Sequence, residues 1–541
     1  MRRRGRLVAA IFALLLFAAL AARVFDLDAF VNIDAVSRWH GRTLKFWQAA
    51  GRGAWRGTFQ LHPGVTLMWL SGASMKLFGA FSRTFSPETL RAATLPVAIV
   101  GALVAPLTFL LLRKLLGPRR TVEAALAGAL IATEPFLVAH SRTMHLDMLV
   151  TAFAWLAALA GAITVRRGTR GAAIAAGALL GLAVLSKLSG SAVAVGVALW
   201  IGVAAITRAR SSPRGALRLA ALLAVVTLVA VSTAALLWPS LLFHPSRTIA
   251  RLLEKVPGVI DRGHSGFAWG RVYAKDAGAA LYGATLAFRT SPEVLLPAIV
   301  ALPLFLFARG TPAFALRGLL LCYAPLLFAA LHGTKKLDRY MLPFYPLLCA
   351  AAAFTLAAAW RLARRKLPPG RAALASAITV ATFGLGGRAA RLAMVHPLTL
   401  AWCAPVPGWR CEEGILLGWG EGMKEVARWI ARDGLSEPGR TPKVWGGLYT
   451  VTLTPWLRFH RARSQEADYV VRYISEAQRK RQVRQFRRSI GGRAPRHEVR
   501  IEGRVYAAIY DGPVRAAALE RKQRGAAERS QDRAAKLRKR R

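Results

Sequence analysis

Runs of about twenty apolar residues recur along this chain, and that repetition decides most of what it can fold into. A bilayer core about 30 Å thick takes roughly 20 apolar residues per helical crossing. The runs fall at about 7–25, 88–112, 121–140, 146–165, 171–186, 188–206, 218–238, 292–308, 318–333, 341–360 and 371–387. They predict an α-helical polytopic membrane protein with about eleven transmembrane helices. With 54% hydrophobic residues over 541 positions, the chain is too apolar for a soluble protein of its size. The start, "MRRRGRLVAAIFALLLFAALAARVF", has the build of a signal peptide, but the spans that follow favour an uncleaved first crossing.

The charge balance sets the orientation. The net charge is +49, from 76 basic and 27 acidic residues. A charge that large suggests nucleic acid, but the basic residues sit in short clusters between apolar runs and in the tail, not on a soluble fold. If "MRRRGR" lies inside and the runs alternate, the inside loops are Arg113–Arg120, Arg166–Arg170, Arg208–Arg218, Arg309–Arg317 and Arg361–Arg371. Each is basic and holds no acid, as the excess of Lys and Arg on the cytoplasmic side requires. The N-terminus is then cytoplasmic, and the loops 26–87 and 239–291 lie outside with everything after about 388.

Three parts are therefore expected: a membrane module over 1–387, an extracytoplasmic α/β domain over 388–515, and a basic disordered tail over 516–541. In the domain, "EGMKEVARWIARDGL" has helical apolar spacing, "KVWGGLYTVTLTPWL" and "ADYVVRYIS" read as strands, and "HEVRIEGRVYAAIY" reads as a hairpin. Cys322 and Cys349 lie in apolar runs, whereas Cys403 and Cys411 can pair if their segment is extracytoplasmic.

Three outside segments carry candidate chemistry. In "VNIDAVSRWHGRTLKFW", Asp34 stands among Arg38, Arg42 and aromatics just beyond the first span. A carboxylate there can act as general base on an attacking hydroxyl, or can simply pair with the arginines. The same loop continues into "FQLHPGVTLMWLSGASMKLFG", where His62 opens an interfacial helix that would roof a site. In "EPFLVAHSRTMHLDML", Arg142, His145 and Asp147 sit at the mouth of the fourth span, where an acid either meets the helix dipole or faces the bundle interior. In "LHGTKKLDRYMLPFYP", Lys335, Lys336 and Arg339 place cations outside, against the positive-inside trend, as does Lys187 in "LSKLSG". Such cations either snorkel or hold a phosphate. "GWGEG" at 418–422 mimics a phosphate loop but follows no clear strand, and reads as a turn. His40, His62, His145, His264 and His332 lack metal-ligand spacing, so a divalent metal would need the fold to gather them with acids.

This ordered set resembles the integral-membrane GT-C glycosyltransferases, and within them the family 39 type of protein O-mannosyltransferases and aminoarabinose transferases. That resemblance implies a sugar donor on a polyprenyl phosphate, transfer with inversion to an acceptor hydroxyl of a protein, lipid or glycan, and a bacterial inner-membrane location. It makes Asp34 the base and Asp147 the second acid, with Lys335, Lys336 and Arg339 on the carrier phosphate and Arg42, His62, Arg142, His145, Lys187 and Tyr340 as further substrate contacts. One departure stands out: relatives usually have Glu after the first-loop acid, and here it is Ala35. The rival readings are a lipid or solute transporter, which would favour charged, broken spans at mid-membrane, and a glycan ligase using a diphosphate donor.

Overall fold

The computed structural model describes residues 2–260, 263–366, 386–434 and 441–538. Helices lie over each apolar run from the first to the one at 341–360: α1 (Arg2–Ala21), α2 (His40–Gly51), α3 (Val65–Leu77), α4 (Pro87–Leu116), α5 (Thr121–Thr133), α6 (Pro135–Ser141), α7 (Asp147–Arg167), α8 (Arg170–Ser186), α9 (Gly190–Ala209), α10 (Pro213–Leu237), α11 (Pro239–Phe243), α12 (Pro245–Ile260), α13 (Gly278–Arg289), α14 (Pro292–Phe307), α15 (Thr311–His332) and α16 (Tyr345–Lys366). Several begin where the sequence signals it. Ser86 accepts a bond from Thr89 N with Pro87 at the first helical position, and Ser212 caps α10 in the same way.

Six of these helices are long and apolar enough to cross a bilayer, or seven if α5 and α6 count as one broken span. The expected count of eleven is not reached among the described residues. α8, α14 and the apolar part of α1 are shorter, and the run at 371–387 lies outside the described residues except at its end. The outer surface of the bundle is apolar, with Phe17, Ile206, Leu228, Phe307 and Phe328 exposed, as a lipid-facing wall requires. At its centre, α7 packs against α4, α8 and α9, and its buried Trp155 donates to Thr108 Oγ1 at 2.8 Å. α7 carries Asp147 at one end and Arg166 and Arg167 at the other. Its 21 residues separate those ends by about 30 Å.

A short antiparallel hairpin, β1 (Gly266–Ala268) and β2 (Arg271–Tyr273), lies between α12 and α13, and the C-terminal unit holds a five-stranded sheet in the order β4-β3-β5-β7-β6, from β3 (Lys443–Trp445), β4 (His460–Arg461), β5 (Tyr469–Tyr473), β6 (His497–Ile501) and β7 (Arg504–Asp511). β3 runs parallel to β4 and β5, while β7 is antiparallel to β5 and β6. The hairpin read at 497–509 turns at Glu502 and Gly503, both at positive φ. The segment 443–457, read as one long strand, is a strand only at its start. Gly447 takes φ +65°, and the hydroxyls of Thr450 and Thr452 then bond to carbonyls three residues back, which favours the 3-10 turn Leu448–Leu453 over a ladder. Cys403 and Cys411 form a disulfide. One helix, Pro513–Arg538, runs through most of the stretch 516–541 where a disordered tail was expected.

Candidate active site

A broken helix begins the site. Pro135 cannot continue the hydrogen-bond ladder of α5, and the chain bends by 58° between α5 and α6. The carbonyls this frees lie inside the protein and need donors. The buried Arg23 supplies them, donating from Nη1 to Ala132 O at 2.8 Å and from Nη2 to Ile131 O at 3.1 Å. Arg142 in turn holds the backbone that carries Arg23, donating to the carbonyls of Arg23 and Asp26 at 3.2 Å each. The break turns the chain so that His145 and Asp147 arrive together at the head of α7.

Four segments then meet in one ionic cluster. Asp147 is buried, with Lys187 Nζ 2.7 Å from Oδ1, and His145 Nδ1 at 2.9 Å and Arg339 Nε at 3.2 Å from Oδ2. Arg339 sits on the turn Asp338–Phe344 that leads into α16, and its Nη2 donates to Asp34 Oδ2 at 3.2 Å. Asp34 also has Arg38 Nη1 at 3.4 Å and His145 Nε2 at 3.8 Å. Burial pushes the Asp34 carboxyl up, but Arg339, His145 and Arg38 outweigh it and hold the group below the usual carboxylate range. Gly64 makes room for this corner: it has φ +52°, and a Cβ there would lie 2.3 Å from the ring of Trp39.

Asp34 opens onto a cavity of about 720 Å³, whose wall also includes Arg42, His62, Lys335, Lys336 and Arg339. That volume falls in the range of roughly 300–1,000 Å³ usual for small-molecule sites. The other expected site residues lie elsewhere. Asp147, His145 and Lys187 stand behind Arg339, and Tyr340 lies under the Lys187 ammonium, 4.1 Å from ring centre to Nζ. Arg142 does not line this cavity, and both its hydrogen bonds hold the backbone that follows α1, at Arg23 and Asp26. Lys336 is held by Asp276 at 2.9 Å. Lys335 and Arg42 have no carboxylate within ion-pair distance among the described residues, and Arg42 instead stacks on Trp39 at 4.9 Å.

The cavity is strongly electropositive. Burial, with Lys335, Arg42, Lys187 and Arg38 adding to it, pushes His62 down to about 4. Burial, with Arg479, Lys335, Arg339 and Arg481, does the same to His264. Both imidazoles are neutral at pH 7 amid guanidinium and ammonium groups, an arrangement that receives an anion. Among the described residues no three His, Cys, Asp or Glu side chains are placed to hold a metal ion.

The C-terminal unit supplies much of the wall. Trp419, Glu421, Tyr449, Arg479 and Arg481 line it, with His140, His264 and Arg289 from the membrane module and its loops. Trp419 lies under Arg339, 4.6 Å from ring centre to Cζ, and edge-on to His145 at 5.0 Å. "GWGEG", read as a turn, is thus part of the site. Its three glycines around a Trp and a Glu were the signal available in the sequence.

The family described as "Dolichyl-phosphate-mannose-protein mannosyltransferase" matches residues 61–238, about a third of the chain. The resemblance drawn from the motifs holds there: the matched segment runs from His62 through Asp147 and Lys187 and is similar to GT-C glycosyltransferases of the family 39 type. No curated protein matches the chain. Among solved structures, the chain is similar to the oligosaccharyltransferase AglB from Archaeoglobus fulgidus, solved with an inhibitory peptide and a dolichol-phosphate, at 15% identity and a TM-score of 0.47, covering 87% of this chain and 70% of that one. ArnT from Cupriavidus metallidurans in the apo state gives 16% identity and 0.46, over 93% of this chain and 98% of that one. The S. cerevisiae Pmt1-Pmt2 complex bound to its sugar donor gives 18% and 0.35, over 50% and 39%.

Proposed function

We propose that this protein moves a sugar from a polyprenyl-phosphate donor to an acceptor hydroxyl on the extracytoplasmic face of a bacterial inner membrane, with inversion and with Asp34 as base. The observation that carries this reading is the position of Asp34. It faces a cavity beside Arg42 and Lys335, two cations without carboxylate partners among the described residues, at the end of α7 opposite the basic Arg166 and Arg167. In the orientation the basic loops favour, that end is outside and the N-terminus is cytoplasmic. A lipid-linked donor of the class named in the family description would keep its tail in the bilayer and its phosphate at this depth.

In the step itself, the acceptor oxygen forms a bond to the anomeric carbon as the carbon–oxygen bond to phosphate breaks. The electron pair leaves with the phosphate, and the acceptor proton passes to Asp34. The donor diester carries one negative charge and the leaving monoester two. Lys335, Arg42 and Arg339 therefore bind the departing group more strongly than the ground state, and that difference is what lowers the barrier. Asp34, held ionised by its neighbours, is a weak base that accepts the proton late, once the acceptor oxygen has begun to bond. Asp147 does not reach the cavity, and its part is to hold Arg339, Lys187 and His145 in place.

The test is a transfer assay with purified protein, a panel of polyprenyl-phosphate sugars and candidate acceptors, comparing wild type with Asp34→Asn. Loss of base catalysis predicts a fall of about 10²–10⁴-fold with donor binding intact. An unchanged rate removes Asp34 from that role.

A further inference from the structure

The loop Gly418–Gly422 is built too tightly for a simple turn. Gly418, Gly420 and Gly422 have φ of +87°, +138° and +79°. A Cβ on Gly420 would lie 2.0 Å from Val31 O, and one on Gly418 would lie 2.6 Å from Ile474. The loop is wedged between the C-terminal sheet and the segment before Asp34, and Ile33 N donates to Trp419 O at 3.2 Å. Only glycine fits such close backbone approaches at positive φ. The wedge delivers Trp419 and Glu421 to the cavity wall within reach of the Asp34 segment.

Around that wall, three buried side chains have polar atoms with no partner among the described residues. Glu421 spends Oε2 on the amides of Trp419 and Gly420 and on the Tyr473 hydroxyl, while Oε1 has none. Arg289 donates from Nη1 to the carbonyls of Leu400 and Trp402, while Nε has none. His140 has no partner at either ring nitrogen. All three are at most 2% exposed, all line the one cavity, and the His140 and Trp419 ring centres are 5.6 Å apart. Unpartnered polar groups buried in this way are rare and call for a ligand or water.

Their chemistry selects the ligand. Arg289 Nε–H is a donor, a carboxylate oxygen of Glu421 is an acceptor, and His140 can be either. Sugar hydroxyls both donate and accept, and the C–H groups of a pyranose pack against an indole. Phosphate would be repelled by Glu421, and an apolar chain would leave all three groups unsatisfied. Resting on the transferase reading above, we infer that this loop is the sugar-recognition element of the site: Trp419 forms the wall for a neutral donor sugar, and Glu421, His140 and Arg289 bind its hydroxyls.

The test measures binding separately from transfer. Full-length protein in lipid nanodiscs is titrated with undecaprenyl phosphate and with its mannosyl, glucosyl and N-acetylglucosaminyl derivatives. Wild type is expected to bind at least one sugar-bearing carrier about ten-fold more tightly than the bare one. Glu421→Gln and His140→Leu should each remove most of that preference, with affinity for the bare carrier unchanged. His140→Leu breaks no protein hydrogen bond, so it serves if Glu421→Gln unfolds, and thermal melting checks both. The inference is overturned if wild type shows no preference for any sugar, or if the preference survives in both variants, or if both carriers weaken together. A preserved preference without transfer to any acceptor would instead count against the transferase reading alone.

Discussion

Asp34 and Asp147 share one guanidinium: Arg339 places Nη2 3.2 Å from the first and Nε 3.2 Å from the second. The two acids differ in what else they meet. Asp34 faces the cavity, while Asp147 is enclosed by Lys187, His145 and Arg339. One carboxylate is open to the cavity, and the other holds the guanidinium that both share.

Asp147→Asn should therefore act first on stability. It leaves Lys187 without a buried counter-charge and Arg339 with Asp34 alone, and breaking a buried pair from one side typically costs about 3–5 kcal/mol. A lower melting temperature in detergent is expected, together with a loss of transfer. A variant that melts like wild type would show that the cluster does not depend on Asp147.

Arg339→Gln should change the pH profile as well as the rate. Burial raises the Asp34 carboxyl, and Arg339 is the largest of the groups that lower it. With a depressed value in the folded protein, Asp34 stays ionised, and the stability it gives is present above the unfolded value and lost only as pH falls through the folded one. Removing the guanidinium lets burial prevail, so the acid limb of transfer activity moves to higher pH. An acid limb that stays in place in the variant would show that another group sets it.

The sequence made the ionic core legible because each of its members breaks a local rule. Asp147 stands at a span mouth, and Lys187 and Arg339 are cations on the side where basic residues are scarce. Arg142 breaks the same rule for a different reason: it donates to the backbone carbonyls of Arg23 and Asp26, and a donor for buried carbonyls looks in sequence like a donor for substrate. Trp419 and Glu421 carried only the signal of their flanking glycines, because their place in the cavity wall depends on contacts with Val31 and Ile33, nearly 400 residues earlier. Periodicity located the helices, but it could not say which would be too short or too bent to cross alone.

Lys335 and Arg42 should bind the carrier phosphate. Each charge-assisted hydrogen bond is worth about 1.5–3 kcal/mol, so Lys335→Met or Arg42→Met should weaken binding of polyprenyl phosphate by roughly 10–100-fold. His62 and His264 add a pH signature. Both sit near 4 because burial and cations disfavour their protonated forms, and a bound phosphate opposes that. Their values rise on binding, so affinity should grow as pH is lowered from about 6.5 toward the free-protein value. Titrating binding against pH tests this directly, and an affinity that is flat over that interval would mean the phosphate lies away from both imidazoles.

The Cys403–Cys411 bridge should matter for the site as well as for the fold. Closing so short a loop is worth roughly 2.5 kcal/mol on chain-entropy grounds. Just beyond Cys411, Glu413 and Gly414 accept bonds from Gly270 and Trp269, and the chain then runs through Ile415 to Trp419. Reduction frees the start of the arm that carries Trp419 and Glu421, so both the melting temperature and transfer should fall in Cys411→Ser. The bridge also reports location, because such pairs persist in oxidising compartments. In membranes prepared from cells without reductant, Cys403 and Cys411 should resist alkylation until reduced, while the buried Cys322 and Cys349 should react only after denaturation. Prompt labelling of Cys403 without reductant would place the C-terminal unit on the cytoplasmic side and reverse the orientation drawn from the basic loops.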